Sequence, residues 1–296
     1  MIKYFLQYAL LGPLLALIRI LPVSWAHFMA RRLAGLTYFI SSSRRHTGME
    51  NLERSYGSRL TRTEKKRILR LSFRHMAMSI ADLFIVKKIR PRAKELFRIH
   101  DLENYEKALA KKKGVVLVTS HVGSWEFLAF LFYLTNTRCT VIVKDIRNPF
   151  FNRQVAEARR ETGLNPISKI NPLKTVLKEL KANNTVAILI DQWAGNEGIW
   201  QEFFGKETST TTLPARLARK TGCVLLQAFC IRTPEGSYDI LLKPPVDIDE
   251  IEDKSEASIT RKLNQVLEET IRAYPSQWSW AHRRWKAKPE VLKKKN

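Results

Sequence analysis

The fold is decided by one stretch, Val115-Val116-Leu117-Val118-Thr119-Ser120-His121-Val122-Gly123-Ser124-Trp125-Glu126, in which an apolar run leads directly into polar side chains. The run 115–120 is rich in β-branched residues, which is typical of a strand that is buried on both faces of a sheet. Gly123 predicts a tight turn, and residues 125–134 predict a helix. A buried strand, a turn and a helix in this order indicate an α/β fold with His121 at the end of a strand.

The same alternation continues towards the carboxyl terminus. Further strands are predicted over 139–144, 185–190, 224–232 and 238–243, and helices over 101–113, 152–162, 172–181, 213–221 and 256–274. Strands that alternate with helices favour a mixed central sheet flanked by helices. The sequence therefore predicts an α/β domain over residues 96–296.

The amino-terminal part has a different pattern. Residues 4–23 are apolar, and a second apolar segment with Arg31 and Arg32 covers 25–40. A helix that spans a bilayer needs about 20 mostly apolar residues, so a span and core helices stay open as alternatives. Two adjoining amphipathic segments favour helices that lie in the membrane interface. We expect membrane-associated helices over 1–40 and a helical cap over 41–95, with a long helix at 60–86 that Thr61 or Thr63 caps.

The composition is strongly basic, with 51 Lys and Arg against 28 Asp and Glu and a formal net charge of +23. Such a charge indicates a polyanionic partner, either nucleic acid or an anionic membrane. The basic residues recur among aromatic and aliphatic ones, which fits a membrane surface better. No helix-turn-helix, zinc knuckle or RNA-binding signature is present, and the three cysteines form no C-x-x-C motif. We expect neither nucleic-acid binding nor a metal site.

His121 and Glu126 are the candidate catalytic pair. Five residues along one helix would place them on different faces, but across a strand end and a turn they can meet. A His held by a carboxylate is a general base with one fixed tautomer. No Ser or Cys nucleophile is needed if the substrate supplies its own hydroxyl. The alternative is a structural His in a loop beside a solvated Glu.

Four further blocks extend the motif along the chain. They are Lys144-Asp145-Ile146-Arg147-Asn148-Pro149; Asp191-Gln192; Phe203-Phe204-Gly205 with Thr210, Pro214 and Leu217-Ala218; and the segment Pro275–Lys286, which contains W-x-W-x-H-R-R-W. With the segment from His121 to Glu126, they resemble the lysophospholipid acyltransferase superfamily, and within it the bacterial lipid A biosynthesis acyltransferases that transfer lauroyl and myristoyl chains. The resemblance covers nearly the whole chain.

The resemblance implies an acyltransferase without a cofactor, which moves a fatty acyl chain from acyl carrier protein or acyl-CoA to a hydroxyl of a lipid A precursor. His121 would act as the base and Glu126 would orient it. Backbone N–H groups near Gly123 or a basic side chain would stabilise the oxyanion. The substrate-binding candidates are Lys144, Asn148, Arg159, Arg160 and Asp191, with the choice between the two arginines open.

Two departures concern the acceptor. Lys144 stands where the family has Arg, and Leu213 stands where Gly is expected. A lysine gives a point-charge contact where an arginine gives a bidentate one. Another glycolipid, an aminolipid or a lysophospholipid therefore remains an alternative acceptor.

The resemblance also implies a location at the cell inner membrane with the active site on the cytoplasmic side. Two functions of other classes compete with acyl transfer. A non-enzymatic basic membrane- or nucleic-acid-binding protein would be indifferent to loss of His121. A hydrolase would release free fatty acid with water as the acceptor.

Overall fold

The computed structural model describes residues 1–288, so the end of the predicted 96–296 domain lies outside the described residues. The helices are α1 (Ile2–Ile20), α2 (Val23–Ile40), α3 (Ser42–Tyr56), α4 (Arg62–Ile89), α5 (Ala93–Leu96), α6 (Leu102–Ala110), α7 (Phe130–Thr135), α8 (Pro149–Glu161), α9 (Leu173–Lys181), α10 (Leu213–Thr221) and α11 (Glu256–Ala273). The strands are β1 (Phe97–His100), β2 (Val115–Thr119), β3 (Cys139–Val143), β4 (Leu164–Ser168), β5 (Thr185–Leu189), β6 (Ile199–Phe203), β7 (Lys206–Thr210), β8 (Val224–Arg232) and β9 (Tyr238–Leu242).

Seven strands form the central sheet in the order β1-β9-β8-β2-β5-β3-β4, and β6 and β7 form a separate hairpin. Strands β8, β2, β5, β3 and β4 run parallel, and β9 turns back antiparallel to β8. This confirms the predicted mixed sheet flanked by helices. The carboxyl ends of the five parallel strands meet at one edge of the sheet, which is where ligands bind in open α/β folds.

Strand β2 lies at the centre of the sheet and is buried along its whole length. Its side chains alternate between the two faces, as the period of a strand requires. Val115 and Leu117 pack into one apolar cluster, with Phe127, Phe130 and other residues. Val116 and Val118 pack into a second cluster, whose members include Trp278, Trp280 and Phe203. The β-branched run thus joins both halves of the core.

Helix α4 confirms the long helix predicted at 60–86. Thr61 is its N-cap, and Thr61 and Glu64 form a capping box in which each side chain accepts from the other residue's backbone N–H. Such caps satisfy N–H groups that the first turn leaves free. Helix α2 packs along α4, so the apolar amino-terminal region is attached directly to the rest of the fold.

Helix α1 is long and apolar enough to cross a membrane by length and composition, and only 6% of its window Lys3–Ile20 is buried against the protein. A signal sequence at an amino terminus meets the same criteria. Large apolar side chains also project outward from α2, among them Trp25, Leu36, Phe39 and Ile40. An exposed apolar surface of this kind marks a site of contact with a membrane or a partner. The proposed limits at residues 40 and 95 stay a prediction.

Some elements differ from the sequence-based prediction. The helix predicted at 125–134 is a 3-10 helix over Trp125–Ala129 followed by α7. Strands β1 and β4 and the β6–β7 hairpin were not predicted, and α3 lies in the region that was predicted only in general terms as a helical cap over 41–95. Helix α3 is polar, β1 has four residues, and β4 contains Pro166. Proline is tolerated because β4 is the edge strand of the sheet.

Candidate active site

Parallel strands bring the candidate residues together from distant parts of the chain. His121 follows β2, Lys144 follows β3 and Asp191 follows β5 by two residues. Strand β5 lies between β2 and β3 and pairs with both. The three side chains therefore reach the same edge of the sheet, although 70 residues separate His121 from Asp191.

The Asp191 carboxylate holds His121 by two hydrogen bonds. It accepts from Nδ1 of the imidazole at 2.9 Å and from the backbone N–H of His121 at 3.0 Å. The indole N–H of Trp278 donates to the same carboxylate at 2.9 Å. A neutral imidazole whose Nδ1–H donates to a carboxylate leaves Nε2 free as the basic atom. Asp191, and not Glu126, therefore supplies the hydrogen bond that orients His121, and the sequence-based prediction is wrong on this point.

His121 and Asp191 each shift the pKa of the other. Burial by itself lowers the pKa of His121, but the negative charge of Asp191 and the hydrogen bond to it outweigh burial and raise that pKa above its ordinary 6.5. Burial raises the pKa of Asp191, but the charge and hydrogen bonds of His121, with a further bond from Trp278, lower it to about 2. Asp191 is thus ionised at neutral pH, and it stabilises the imidazolium form of His121.

Glu126 lies beside this pair but bonds to a different residue. Its carboxylate accepts two hydrogen bonds from Arg159 on α8, at 3.0 Å from Nε and 2.7 Å from a terminal nitrogen. The indole N–H of Trp125 donates to it at 3.2 Å. The bidentate geometry fixes the guanidinium plane. The charge of Glu126 also raises the pKa of His121, by less than Asp191 does.

The structure separates the two candidate arginines. Arg159 points to Glu126 and lines the cavity described below, whereas Arg160 is exposed. Lys144 is exposed and also lines the cavity. Asn148 is buried elsewhere, as the N-cap of α8, where its oxygen accepts from the N–H of Phe150 at 3.0 Å. Its amide donates to the carbonyl of Tyr4 in α1 at 2.9 Å. The structure thus places Asn148 in a capping position outside the cavity lining.

Gly123 makes the turn that the sequence predicts. Its φ is +64°, and a Cβ at this position would lie 2.1 Å from the carbonyl oxygen of Cys230. The N–H of Gly123 donates to Gln277 at 2.9 Å, and the N–H of Ser124 donates to Cys230 at 2.7 Å. Both groups already have protein acceptors, so they are not free to bind an oxyanion.

A cavity of about 430 Å³ opens at His121. Its mouth is polar, with Glu126, Lys144, Arg159 and Gln192 beside the imidazole. The amide nitrogen of Gln192 lies 3.4 Å from Nε2 of His121. The deeper walls are apolar and come from the 3-10 helix, α7 and strands β3, β4 and β5, with Leu128, Ala129, Phe132, Val141, Leu164, Ala187 and Leu189. An apolar cavity with a few convergent polar groups is typical of a binding site for an apolar ligand.

A buried charge cluster, which we define as His27, Asp82, Ser124 and Arg232, supports the loop between His121 and Glu126. Asp82 of α4 is fully buried, and it accepts from Ser124, from Arg232 at the end of β8 and, at 2.7 Å, from Nε2 of His27 on α2. Ser79, one helical turn before Asp82, donates to the carbonyl of Gly123 at 2.8 Å. The cluster joins α2, α4, the catalytic loop and the central sheet. Sequence reasoning missed it, and the signal was a charged residue on the apolar face of α4.

The carboxy-terminal W-x-W-x-H-R-R-W segment packs against the loop that carries Asp191 and Gln192. Trp278 and Trp280 are buried and pack in the core. Arg284 is also fully buried, and it donates to the carbonyls of Gln192 at 3.0 Å and Ser209 at 2.6 Å. Its guanidinium thus holds the loop after β5 against the β6–β7 hairpin.

Comparison with known proteins shows the family of the chain. Residues 1–287 match the family described as bacterial lipid A biosynthesis acyltransferase. The chain belongs to this family. The resemblance drawn from the sequence blocks is thereby confirmed.

Individual members of the family differ in their acceptors. The chain is 24% identical to the lipid A biosynthesis palmitoleoyltransferase of Escherichia coli K12, over 97% of this chain and 93% of that protein. It is 27% identical to the lipid A biosynthesis lauroyltransferase of the same organism, over 64% of this chain and 61% of that protein. It is 25% identical to the phosphatidylinositol mannoside acyltransferase of Mycobacterium tuberculosis H37Rv, over 67% of this chain. That match spans 63% of the mannoside acyltransferase.

Proposed function

We propose that this chain transfers a fatty acyl group from an acyl thioester to a hydroxyl of a phosphate-bearing glycolipid, most specifically a lipid A precursor. The observation that carries the proposal is the imidazole of His121, which Asp191 holds by its Nδ1 at the mouth of an apolar cavity. A general base beside a space for hydrocarbon fits acyl transfer from a fatty thioester. Family membership supports the same reaction class.

In the proposed reaction, Nε2 of His121 takes the proton from the acceptor hydroxyl as its oxygen attacks the thioester carbonyl. The tetrahedral intermediate collapses, the C–S bond breaks, and the imidazolium returns the proton to the leaving thiolate. The products are a lipid ester and a free thiol. Asp191 stabilises the imidazolium between the two steps, which is the role that the carboxylate has in a catalytic triad.

The oxyanion of the intermediate requires a donor or a positive charge. Arg159 and Lys144 are the cations that line the cavity mouth, and Gln192 adds a neutral amide near Nε2. We propose that Arg159 has this role, since Glu126 fixes its position and leaves the guanidinium beside the cavity. Glu126 thus acts as the residue that positions Arg159. Lys144, on the exposed rim, would contact the donor or a phosphate of the acceptor.

The net charge of the chain supports the choice of acyl donor, and the exposed apolar surface of α1 and α2 supports the location. Acyl carrier proteins are acidic, and a net charge of +23 favours an encounter with them as well as with an anionic lipid. Acyl-CoA remains the alternative donor. The apolar α1 and the exposed apolar residues of α2 support attachment to the inner membrane. A cytoplasmic active site would give both soluble donors access.

The proposed function is tested by mass spectrometry of total lipids from cells with and without the protein. We expect one lipid to gain the mass of a single acyl chain, and purified protein to reproduce the change with acyl carrier protein thioester. An unchanged lipid profile together with thioester-dependent release of free fatty acid would contradict the proposal and favour the hydrolase.

The pH dependence of transfer should show the raised pKa of His121. A general base is active only when neutral, so kcat/KM should fall as the pH falls through a midpoint above 6.5. In Asp191→Asn the main upward contribution is lost, and the midpoint should move to lower pH at a lower maximal rate. A midpoint that is the same in both proteins would argue against His121 as the titrating base.

Two neighbouring arginines on α8 provide a matched test of the oxyanion role. Arg159→Gln should lower kcat/KM about 10²-fold, because a fixed charge beside the carbonyl is lost. Arg160→Gln removes the same charge from an exposed position one residue away and should stay within about twofold, as substitutions far from the chemistry do. Equal losses in the two variants would indicate a general effect of charge on donor encounter.

A further inference from the structure

A second cavity, which we call the α2–α4 groove, lies outside the active site. It has a volume of about 370 Å³. Leu33 and Thr37 of α2 form one wall, and Phe73, Met76 and Ala77 of α4 form the other. These lining residues are almost all apolar, and none of them lines the active-site cavity. The groove is therefore a separate space suited to hydrocarbon.

One end of the groove is polar. Arg44 and His282 line it there, and a terminal nitrogen of Arg44 donates to the carbonyl of Ala281 at 3.2 Å. Within residues 1–288, Nδ1 of His282 is buried without a hydrogen-bond partner. A hydrocarbon groove that ends at a cation and an unpaired polar atom matches an amphiphile with a polar headgroup.

The polar end lies close to the catalytic residues. Burial lowers the pKa of His282 to about 4, and the charges of Asp191 and His121 both act on it. Trp278, four residues earlier, donates directly to Asp191. Ser79, which precedes the groove residue Ile80 on α4, donates to the carbonyl of Gly123. A headgroup at this end would therefore lie beside the loop that carries His121.

The open side of the groove continues into the apolar surface of the amino-terminal helices. Ile80, on its rim, is 50% exposed, and Leu36 of α2 is 57% exposed. Arg31 and Arg32 are exposed on the same helix. Apolar side chains beside basic ones are the arrangement by which a helix lies on an anionic membrane. A lipid chain can then enter the groove sideways from the leaflet.

We infer that the α2–α4 groove binds an acyl chain that the acceptor lipid already carries, and that it places the acceptor headgroup against His121. The inference rests on the proposed function. The active-site cavity beside the imidazole takes the donor chain, and the groove takes a chain of the acceptor, so the two chains occupy different spaces. The distance between the groove and His121 then selects which hydroxyl of the headgroup is acylated.

Photo-crosslinking tests this inference in membranes of cells that express the full chain and are fed a fatty acid with a diazirine group. The labelled fatty acid is incorporated into the membrane lipids in general, so the acceptor need not be known. We expect adducts on Phe73 and Met76. Ala77→Trp should reduce them at least about fivefold by filling the groove, whereas Leu173→Trp adds the same side chain to an exposed position on α9, outside the groove lining, and should leave them unchanged.

The same variants report on transfer. Ala77→Trp should lower acylation of the lipid and Leu173→Trp should not, while His121→Ala should lower acylation about 10²- to 10⁴-fold and keep the groove adducts. Thr37→Trp fills the groove from the opposite wall and serves if Ala77→Trp does not fold. If wild-type protein acylates no lipid, the proposed function fails while the adducts still report on the groove. Adducts confined to exposed residues, or unaffected by both filling variants, would overturn the inference.

Discussion

His121→Ala should lower acyl transfer about 10²- to 10⁴-fold while the protein keeps its fold, since general-base catalysis contributes about that factor. The imidazole is partly exposed at the cavity mouth and its side chain is 21% accessible, so removing it leaves little buried space. Single-turnover transfer from a radiolabelled acyl thioester measures the loss. Circular dichroism and thermal unfolding of the same preparation report on the fold.

Asp191→Asn is the companion to this variant. An amide at this position can accept from Nδ1 but carries no charge to stabilise the imidazolium, so the loss should approach that of His121→Ala. The double variant should lose little more than either single one, because residues that act as a unit are not additive. Normal transfer by His121→Ala would rule out the proposed mechanism, and additive losses would show that Asp191 acts independently of His121.

Asp82→Ala should lower the free energy of unfolding by about 3–5 kcal/mol, because it leaves the charge of Arg232 buried without its partner. Both groups lie in the interior, with side-chain exposures of 0% for Asp82 and 6% for Arg232. His27 and Ser124 lose their acceptor in the same substitution. Urea denaturation in detergent micelles, followed by tryptophan fluorescence, measures the change.

A surface ion pair provides the control for this prediction. Asp249 pairs with Lys254 at 2.6 Å, but the Asp249 side chain is 87% exposed, so Asp249→Ala should leave the unfolding curve nearly unchanged. Replacing Arg232 with Met together with Asp82→Ala should recover part of the lost stability, since no unpaired charge then remains. If Asp82→Ala unfolds like wild type, the buried charge cluster does not stabilise the fold.

The central strand and the position of His121 at its end were predictable from the sequence because both depend on neighbouring residues. The β-branched run 115–120 predicts burial, and Gly123 predicts the turn after it. The capping box of α4 is equally local, since Thr61 and Glu64 are three residues apart. Local patterns of this kind also located β3, β5 and β8, but not the edge strand β4.

The partner of His121 was not predictable, because it depends on the order of strands in the sheet. Glu126 is the nearest carboxylate in sequence, but Asp191 lies after the strand that pairs with β2. Glu126 instead pairs with Arg159. Arg159 lies on α8, the helix that follows β3, and β3 is two strands away from β2 in the sheet. The sequence and its resemblance singled out His121, Glu126 and Asp191 and left the choice between Arg159 and Arg160 open. They paired Glu126 with His121, whereas the structure pairs Glu126 with Arg159.

The attachment of Asp82 to the loop between His121 and Glu126 has a practical consequence for the preparation of a water-soluble form of the protein. A cut at residue 96 would discard the apolar helices α1 and α2, but it would also remove the carboxylate that Ser124 and Arg232 require. A cut after residue 41 spares α4 and loses only His27 from that cluster. Solubility therefore has to come from polar substitutions on the outer faces of α1 and α2, or from a start within α3. Helix α4 has to stay, since it carries the carboxylate that supports the loop between His121 and Glu126.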